Sequence, residues 1–369
     1  MLHNSIARIP EKIPLLNRLY KRNAALLKRN WCLFLNRRGL LKPVSFVMWL
    51  TTYRCSMGCP YCEASAGAQR VNELSTREAK DFIDDLAGMG VKRLCLSGGE
   101  PLERPDIVEL MHYGHAKSLD FGLASNGYHL PRLWNELNKL RYFTVFVSLD
   151  GTPEYHNAIR KKPQAFERAI ETLALFKERG VKLRMINTVV HPGNIGQLQE
   201  MVPLVKNSGA NLWHLSPAAW VGRAQTNNEF ILDGKQLRDV ADFIKKYRKS
   251  VNVDFGESYA YLWCLDGSFT GKAFFCGAGL VRCAVMPDGT VLGCHQVYDN
   301  KYSEGNIREK PFSRIWKEEF KRFRQPGVSA ACKKCEYRNA CNGGCWGKKQ
   351  VQGACLKGAW GKPGQPTEK

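Results

Sequence analysis

The strongest constraint on the fold is an alternation of β-rich and helical sequence between residues 45 and about 220. Parallel neighbouring strands need a crossover, usually a helix, so strand–helix units in series predict a parallel sheet. Right-handed crossovers curve six such units into a partial (β/α)6 barrel, an α/β fold. The predicted strands are Phe46–Thr52, Arg93–Leu96, Gly122–Ser125, Thr144–Leu149, Leu183–Val190 and Leu212–Leu215, and the predicted helices are Thr76–Met89, Asp106–Ala116, Leu133–Leu140, Gln164–Arg179 and Ile195–Asn207.

Fourteen cysteines are unusual in a chain of 369 residues, and most of them are clustered. The first ten residues lack the apolar core and cleavage site of a secretion signal, so we expect a cytoplasmic location. In a reducing cytosol, clustered cysteines are more often metal ligands than disulfides. The sequence contains no run of about 18 uncharged apolar residues, so no membrane-spanning helix is predicted.

The first cluster of cysteines follows the first predicted strand. Cys55, Cys59 and Cys62 have the spacing C-x3-C-x2-C. Three thiolates can bind three irons of a [4Fe–4S] cluster and leave the fourth iron open to a cofactor or substrate. Loops that follow the strands of a parallel barrel carry its reactive residues, which is where this cluster lies. A zinc knuckle without its fourth ligand, or three packed cysteines, is the alternative.

Short polar motifs follow the next three strands. They are Ser97-Gly98-Gly99-Glu100, Ser125-Asn126-Gly127 and Ser148-Leu149-Asp150-Gly151. Together with the three cysteines, these motifs resemble those of the radical S-adenosylmethionine (SAM) superfamily over about residues 46–220.

That resemblance implies that the open iron binds the amino and carboxylate groups of SAM. It assigns SAM contacts to Tyr61, Ser97, Gly98, Gly99, Glu100, Asn126, Ser148, Asp150 and Arg160. The two glycines are expected to let the backbone approach the ligand, and Glu100 to bind the SAM ammonium. Structural explanations stay open for three of the residues, because Tyr61 can be a loop aromatic, Asp150 begins a favourable turn and Arg160 begins a run of cations.

The second group of cysteines reads Cys276-x6-Cys283-x10-Cys294, then Cys332-x2-Cys335-x5-Cys341-x3-Cys345-x9-Cys355. Eight cysteines equal two complete four-thiolate sites. The pattern resembles the SPASM extension of radical SAM enzymes, which implies two auxiliary [4Fe–4S] clusters and three clusters in all. By that resemblance, the nearer auxiliary cluster uses Cys276, Cys283, Cys294 and Cys345, and the farther one uses Cys332, Cys335, Cys341 and Cys355. Zinc in place of iron is the alternative.

Four further residues near these motifs need an interpretation. Cys95 is expected to be buried in the second strand, whereas Cys32 has no assignment and Cys264 is a weak candidate ligand. By the same resemblance, His295 follows Cys294 at the position where sulfatase-maturating enzymes have an Asp that takes the substrate proton. A histidine can act as the base near neutral pH, or it can donate to a cluster sulfur. This difference weakens the case for formylglycine formation and makes His295 the candidate catalytic residue.

Charge and composition divide the chain further. Basic amphipathic helices are expected over residues 1–44, the radical SAM core over 45–225, a connecting segment over 226–273, the SPASM domain over 274–356 and a flexible tail over 357–369. Much of the net charge of +21 lies in residues 1–44. This segment is a solvated basic face, or it binds an acidic leader peptide or an anionic surface at the inner membrane face. A zinc-ribbon nucleic-acid-binding protein would share the charge but not the Gly98-Gly99-Glu100 motif, so no nucleic-acid partner is expected.

The resemblance also implies a reaction. An electron from a low-potential donor, flavodoxin or ferredoxin, would cleave SAM reductively to a 5′-deoxyadenosyl radical, which would remove a hydrogen atom from the substrate. Auxiliary clusters can accept the next electron, so oxidation or cross-linking of a ribosomally made peptide is the expected outcome. The alternative is a lipid, quinone or tetrapyrrole substrate at a membrane surface.

Overall fold

The computed structural model describes residues 27, 29–35, 38, 44–70, 72–256, 275–324, 330–335 and 344–352. Its strands are β1 (Phe46–Leu50), β2 (Arg93–Ser97), β3 (Asp120–Ser125), β4 (Tyr142–Ser148), β5 (Arg184–Val190), β6 (Leu212–Pro217), β7 (Val253–Phe255), β8 (Arg282–Val285), β9 (Thr290–Leu292) and β10 (Ser303–Asn306). They form one sheet in the order β10-β9-β8-β1-β2-β3-β4-β5-β6-β7.

The first seven strands pair in parallel with their sequence neighbours. The six predicted strands are therefore confirmed, and β7 adds a further one beside β6. Because parallel strands end at the same edge of a sheet, the loops after β1 to β6 meet at the carboxyl edge. This edge carries the predicted site.

The helices lie between the strands. They are α1 (Thr76–Gly88), α2 (Ile107–Ala116), α3 (Leu130–Leu137), α4 (Pro153–Ile159), α5 (Ala165–Glu178), α6 (Leu198–Asn207), α7 (Gly234–Tyr247), α8 (Phe312–Glu318), α9 (Lys321–Arg324), α10 (Ala330–Lys333) and α11 (Trp346–Gln352). The five predicted helices are confirmed, although α3 begins three residues earlier than expected because Pro131 suits a first helical turn. The sequence prediction missed α4, a short helix of seven residues.

Side-chain alternation along β1 separates two apolar layers. Val47 and Trp49 belong to the main core, where the Trp49 ring meets Phe82 of α1 edge-on at 5.7 Å between centroids. Leu50 and Met48 lie on the opposite face, in a smaller cluster. Successive strand residues point to opposite faces, so the helices cover one face of the sheet and the other face forms the inside of the barrel.

The cysteine-rich region continues the barrel sheet. Strand β8 pairs in parallel with β1, and β9 and β10 follow it as antiparallel strands. Cys264, Cys341, Cys355, residues 257–273 of the connecting segment and the predicted tail lie outside the described residues. Within the described ranges, no helix is both long and apolar enough to cross a membrane.

Candidate active site

The three-cysteine loop after β1 lies at the carboxyl edge of the sheet. Cys55, Cys59 and Cys62 share an apolar cluster with Met57 and Phe230. The Cys59 thiol interacts electrostatically with the other two thiols. Burial raises the pKa of the Cys55 thiol to about 12, so it is neutral at pH 7 and releases a proton when it becomes a ligand. Three grouped thiols in apolar surroundings fit three corners of a [4Fe–4S] cluster.

A single metal ion has different requirements. In the described part of the chain, no three His, Cys, Asp or Glu side chains are arranged to hold one ion. The thiolates around an iron–sulfur cube bind different irons, so such convergence is not required of the cysteine loop.

The Gly98-Gly99-Glu100 turn after β2 pairs with the cysteine loop through the backbone. The amide of Gly99 donates to the Thr52 carbonyl, and the amide of Glu100 donates to the Arg54 carbonyl, both at 2.8 Å. Gly98 has φ of +138°, and a Cβ there would lie 2.5 Å from the Thr52 oxygen. The two glycines therefore let the turn approach the cysteine loop, which is a contact that their expected role toward SAM did not include.

The Glu100 carboxylate is completely buried and is held by neutral donors. Ser125 Oγ and the amides of Leu102 and Asn126 donate to it at 2.9, 3.1 and 2.7 Å. Burial raises its pKa to about 7 despite these hydrogen bonds. A buried carboxylate of this kind is stabilised by a cation or a further donor, which the amino group of SAM would supply. The site therefore fits SAM.

Three other predicted contact residues lie on the same edge. The Nδ2 of Asn126 is 4.0 Å from Cys55 Sγ, so this side chain borders the cysteine loop. Ser97 accepts the Thr51 amide at its carbonyl oxygen, at 2.9 Å. Ser148 ends β4 in register with Asn187 of β5. Their contacts with SAM stay predictions.

Asp150, Arg160 and Tyr61 lie together, and their side chains form hydrogen bonds with one another. The Asp150 Oδ2 accepts from Arg160 Nε at 2.7 Å and from the Tyr61 hydroxyl, while its Oδ1 accepts from the Val189 amide at 2.9 Å. Burial by itself raises the pKa of Asp150, but Arg160 and the hydrogen bonds bring it below its ordinary value. The structure thus gives these residues a supporting role beside the cysteine loop, and their direct contact with SAM stays a prediction.

Two buried histidines flank this network, and no sequence motif indicated them. Burial lowers the pKa of His156 to about 3 and that of His191 to about 4, so both are neutral at pH 7. The Asp150 amide donates to His156 Nδ1 at 3.0 Å. The His191 ring lies against Tyr61, with 5.2 Å between ring centroids. His156 therefore supports Asp150, and His191 supports Tyr61.

The loop after β6 also holds the cysteine loop, which the sequence reasoning missed. Arg223 Nε donates to the Cys59 carbonyl at 2.7 Å, and its Nη1 donates to the Ala66 carbonyl at 2.6 Å. The only sequence signal for Arg223 was its place in the segment that follows the last predicted strand, Leu212–Leu215.

Three of the four cysteines expected at the nearer auxiliary cluster lie near one another. Cys294 and Cys345 interact electrostatically with each other and with Cys276. Cys283 is buried in β8 and, like Cys345, belongs to the main core. Cys332 and Cys335, expected at the farther cluster, lie in one turn in which the Cys335 amide donates to the Cys332 carbonyl at 3.3 Å. The division into two ligand sets stays a prediction.

The remaining candidates lie near these sets. Cys95 is fully buried in β2, as expected, and Cys32 is partly buried. His295 follows Cys294 in the turn after β9 and is partly exposed. Tyr298, three residues further on, interacts electrostatically with both Cys62 and Cys294. This stretch therefore lies between the two groups of cysteines.

Family models agree with this arrangement. The radical SAM superfamily model matches residues 49–205, and that of an iron–sulfur cluster-binding domain, SPASM, matches residues 276–336. The chain belongs to the radical SAM superfamily and carries a SPASM domain. Membership implies that [4Fe–4S] clusters and SAM are its cofactors. The predicted family and fold class are therefore confirmed.

Within the superfamily, the chain is similar to two kinds of enzyme. It is 33% identical to mycofactocin maturase MftC of Mycolicibacterium smegmatis, over 86% of this chain and 81% of that relative. It is 30% identical to the AdoMet-dependent heme synthase of Methanosarcina barkeri, over 80% of this chain and 90% of that relative.

Solved structures share the fold. Streptococcus suis SuiB bound to S-adenosylmethionine aligns with a TM-score of 0.68 and 18% identity, covering 94% of this chain and 82% of SuiB. The enzyme anSMEcpe with bound AdoMet aligns with a TM-score of 0.64 and 20% identity, covering 83% of this chain and 89% of that chain.

Proposed function

We propose that this protein is a maturase that oxidises or cross-links a ribosomally made peptide by radical SAM chemistry. The observation that carries the proposal is the 33% identity to mycofactocin maturase over most of both chains. The grouped cysteines and the buried Glu100 carboxylate fit the cofactors that such a reaction needs.

The proposal assigns a role to each group of residues. Bound cluster and SAM supply a 5′-deoxyadenosyl radical, which removes a hydrogen atom from the substrate. Cys55, Cys59 and Cys62 hold the catalytic cluster, and Glu100 orients the amino group of SAM. Ser97, Gly98, Gly99, Asn126 and Ser148 contribute the other SAM contacts, beside the Tyr61, Asp150 and Arg160 network.

Completion of the oxidation needs an outlet for one electron and one proton. The eight C-terminal cysteines would hold two auxiliary clusters, making three in all, and such a cluster would supply an acceptor for this electron. His295, next to Cys294, accepts the proton. A low-potential flavodoxin or ferredoxin supplies the electron that cleaves SAM.

A tetrapyrrole substrate is the second candidate. It is supported by the 30% identity to an AdoMet-dependent heme synthase, of which the chain covers 90%. The catalytic loop would serve this substrate in the same way, because the two reactions differ in what occupies the substrate side of the site.

The two substrates are separated by one experiment. The protein is reconstituted anaerobically, reduced, and incubated with SAM and either a peptide encoded beside its gene or an iron porphyrin with propionate side chains. We expect 5′-deoxyadenosine and a change of peptide mass in the first reaction alone. A mass change of the porphyrin alone would replace the peptide proposal with the second candidate.

We also propose that the N-terminal segment binds an anionic membrane surface. Leu27, Trp31 and Phe34 are 53%, 56% and 45% exposed, and their spacing places them on one side of the helical residues 29–35. The Trp31 and Phe34 rings stack at 5.6 Å between centroids, and the Arg38 guanidinium lies 5.4 Å from the Phe34 ring centroid.

The opposite side of this helix has a different neighbour. Arg29 is partly buried and interacts electrostatically with Cys276, so the exposed apolar side chains face away from the cysteine-rich region. Basic helices with exposed Trp, Phe and Leu side chains bind at anionic lipid interfaces. The protein would then be cytoplasmic and peripheral at the inner membrane face.

A further inference from the structure

The loop after β6 grips the cysteine loop at three backbone positions. Besides the two guanidinium contacts with the carbonyls of Cys59 and Ala66, the backbone amide of Arg223 donates to the Cys62 carbonyl at 3.1 Å. The bonded carbonyls lie at the second cysteine, at the third cysteine and at the end of the loop. One residue therefore spans the half of the loop that carries Cys59 and Cys62.

Gly222 makes this approach possible. It has φ of +61°, in the left-handed region, and a Cβ at this position would collide with the carbonyl oxygens of Cys62 and Glu63. The backbone of the β6 loop thus packs directly on the backbone of the cysteine loop. This contact fixes Arg223 relative to the cysteines, so the guanidinium reaches its two carbonyls from a defined starting point.

Two arginines lie near the Cys59 thiol, and they differ in charge balance. Both Arg160 and Arg223 interact electrostatically with this thiol. Arg160 is paired with the Asp150 carboxylate, whereas both guanidinium hydrogen bonds of Arg223 go to neutral carbonyl oxygens. A paired arginine contributes little net charge to its surroundings. Asp150 also acts on the Cys59 thiol, in the opposite direction to Arg160, whereas the positive charge of Arg223 acts on this thiol without a paired carboxylate.

We propose that Arg223 is a positioning residue of the catalytic cluster, which holds the cysteine loop in the geometry that binds SAM and raises the reduction potential of the cluster. A fixed positive charge near a cluster stabilises its reduced, more negative state. The bidentate grip requires the planar guanidinium, which a lysine cannot reproduce. The inference rests on the cluster assignment and is independent of which substrate the protein modifies.

Three variants test the proposal. Arg223→Gln removes both the charge and the grip, and Arg223→Lys keeps the charge but loses the two-point grip. Arg184→Gln is the matched control, because the Arg184 Nε donates to the Gly209 carbonyl at 2.7 Å at the start of β5, the opposite edge of the sheet. Each protein is reconstituted anaerobically, and three quantities are measured: iron content, SAM affinity, and the potential of the electron paramagnetic resonance signal that changes on adding SAM.

We expect Arg223→Gln to bind SAM about tenfold or more weakly, the size of effect that loss of charge-assisted hydrogen bonds gives. Its SAM-sensitive signal should appear at lower potential. Arg223→Lys should keep the potential near the wild-type value and still bind SAM more weakly. Arg184→Gln should change neither quantity.

Each other outcome is also decisive. Loss of only the SAM-sensitive signal in Arg223→Gln, with the remaining iron intact, also supports a grip specific to the catalytic loop. If Arg223→Gln loses all iron, Arg223→Lys becomes the test. Weakened SAM binding by Arg223→Lys would support the proposal, and wild-type SAM binding would overturn it. Unchanged affinity and potential in Arg223→Gln, or equal changes in Arg184→Gln, would overturn the proposal.

Discussion

Asp150 and Arg160 form an almost completely buried ion pair, with 2.6 Å between Oδ2 and Nη2. The pair is tied to the cysteine loop from both sides, because Tyr61 donates to Asp150 and the Gly58 amide donates to the Arg160 carbonyl at 3.0 Å. A displacement of either charged residue would therefore move the segment between Cys55 and Cys62.

Asp150→Ala is expected to destabilise the fold strongly. It leaves the Arg160 charge buried without its partner, which typically costs about 3–5 kcal/mol in free energy of unfolding. Asp120→Ala is the control, because Asp120 and Arg141 form an ion pair with both side chains more than 40% exposed, and such pairs contribute about 0–1 kcal/mol. Anaerobic chemical denaturation of the reconstituted proteins measures both, and similar small losses would show that the buried pair is not structural.

The affinity for SAM is expected to fall as the pH falls below about 7. Burial raises the pKa of Glu100 to about 7, and the protonated carboxyl is a poorer acceptor for the amino group of SAM. Equilibrium dialysis at several pH values should show up to about a tenfold loss per pH unit. The Glu100→Gln variant should bind SAM weakly at every pH, and a slope like that of the wild type in this variant would assign the titration to another group.

Glu100 also makes the stability of the fold depend on pH, but in the opposite direction to its effect on the affinity for SAM. The folded protein keeps the Glu100 proton up to about pH 7, whereas an ordinary glutamate loses it near 4.5. The folded state therefore binds more protons between these values, and the contribution of Glu100 to the free energy of unfolding decreases as pH rises through them. Bound SAM should reduce this decrease.

Replacement of Cys55, Cys59 and Cys62 together by Ala is expected to abolish 5′-deoxyadenosine formation. The auxiliary clusters should remain, at about eight iron atoms per chain. Cys95→Ala is the control: this buried residue lies in β2, so its loss should lower stability and leave the iron content unchanged. Cleavage of SAM at the wild-type rate by the triple variant would refute the assignment of the catalytic cluster.

His295→Ala is expected to uncouple SAM cleavage from product formation. If His295 accepts the substrate proton, the variant keeps its iron and forms 5′-deoxyadenosine, while product formation falls by about 10²–10⁴. The measurement is product per 5′-deoxyadenosine, with Gln296→Ala as the neighbouring control. Loss of product in proportion to loss of iron would instead indicate that His295 supports the nearer auxiliary cluster.

The double variant Trp31→Ala/Phe34→Ala is expected to lose binding to vesicles of phosphatidylglycerol and phosphatidylcholine. The loss is expected because insertion of exposed aromatic side chains contributes to binding at a lipid interface. Cosedimentation with the vesicles measures the binding. Leu183→Ala is the control, since Leu183 is 38% exposed at a distance from the N-terminal helix in the sequence. Binding of the wild type to an acidic peptide but not to these vesicles would show that the membrane proposal is wrong.

The sequence predicted the barrel because strand–helix alternation is a local pattern, and it predicted the cysteine loop because ligand spacing is local too. It also placed Glu100 and Asp150 at the correct sheet edge, since parallel strands end together. What it missed are partners that only the fold brings together. Arg223 is far from Cys59 in the sequence, and the pairing of Arg160 with Asp150 depends on burial that no motif encodes.

The pairing of β8 with β1 has a consequence for the order of events during synthesis. Strand β1 leaves the ribosome early and gains β2 soon afterwards, but its other edge stays without a partner until β8 has been translated. An unpaired strand edge invites association with other chains, so the nascent protein is most vulnerable to aggregation in that interval. The antiparallel pair of β8 and β9 therefore closes the open edge of the nascent sheet, and shortened chains that end before β8 should accumulate in the insoluble fraction.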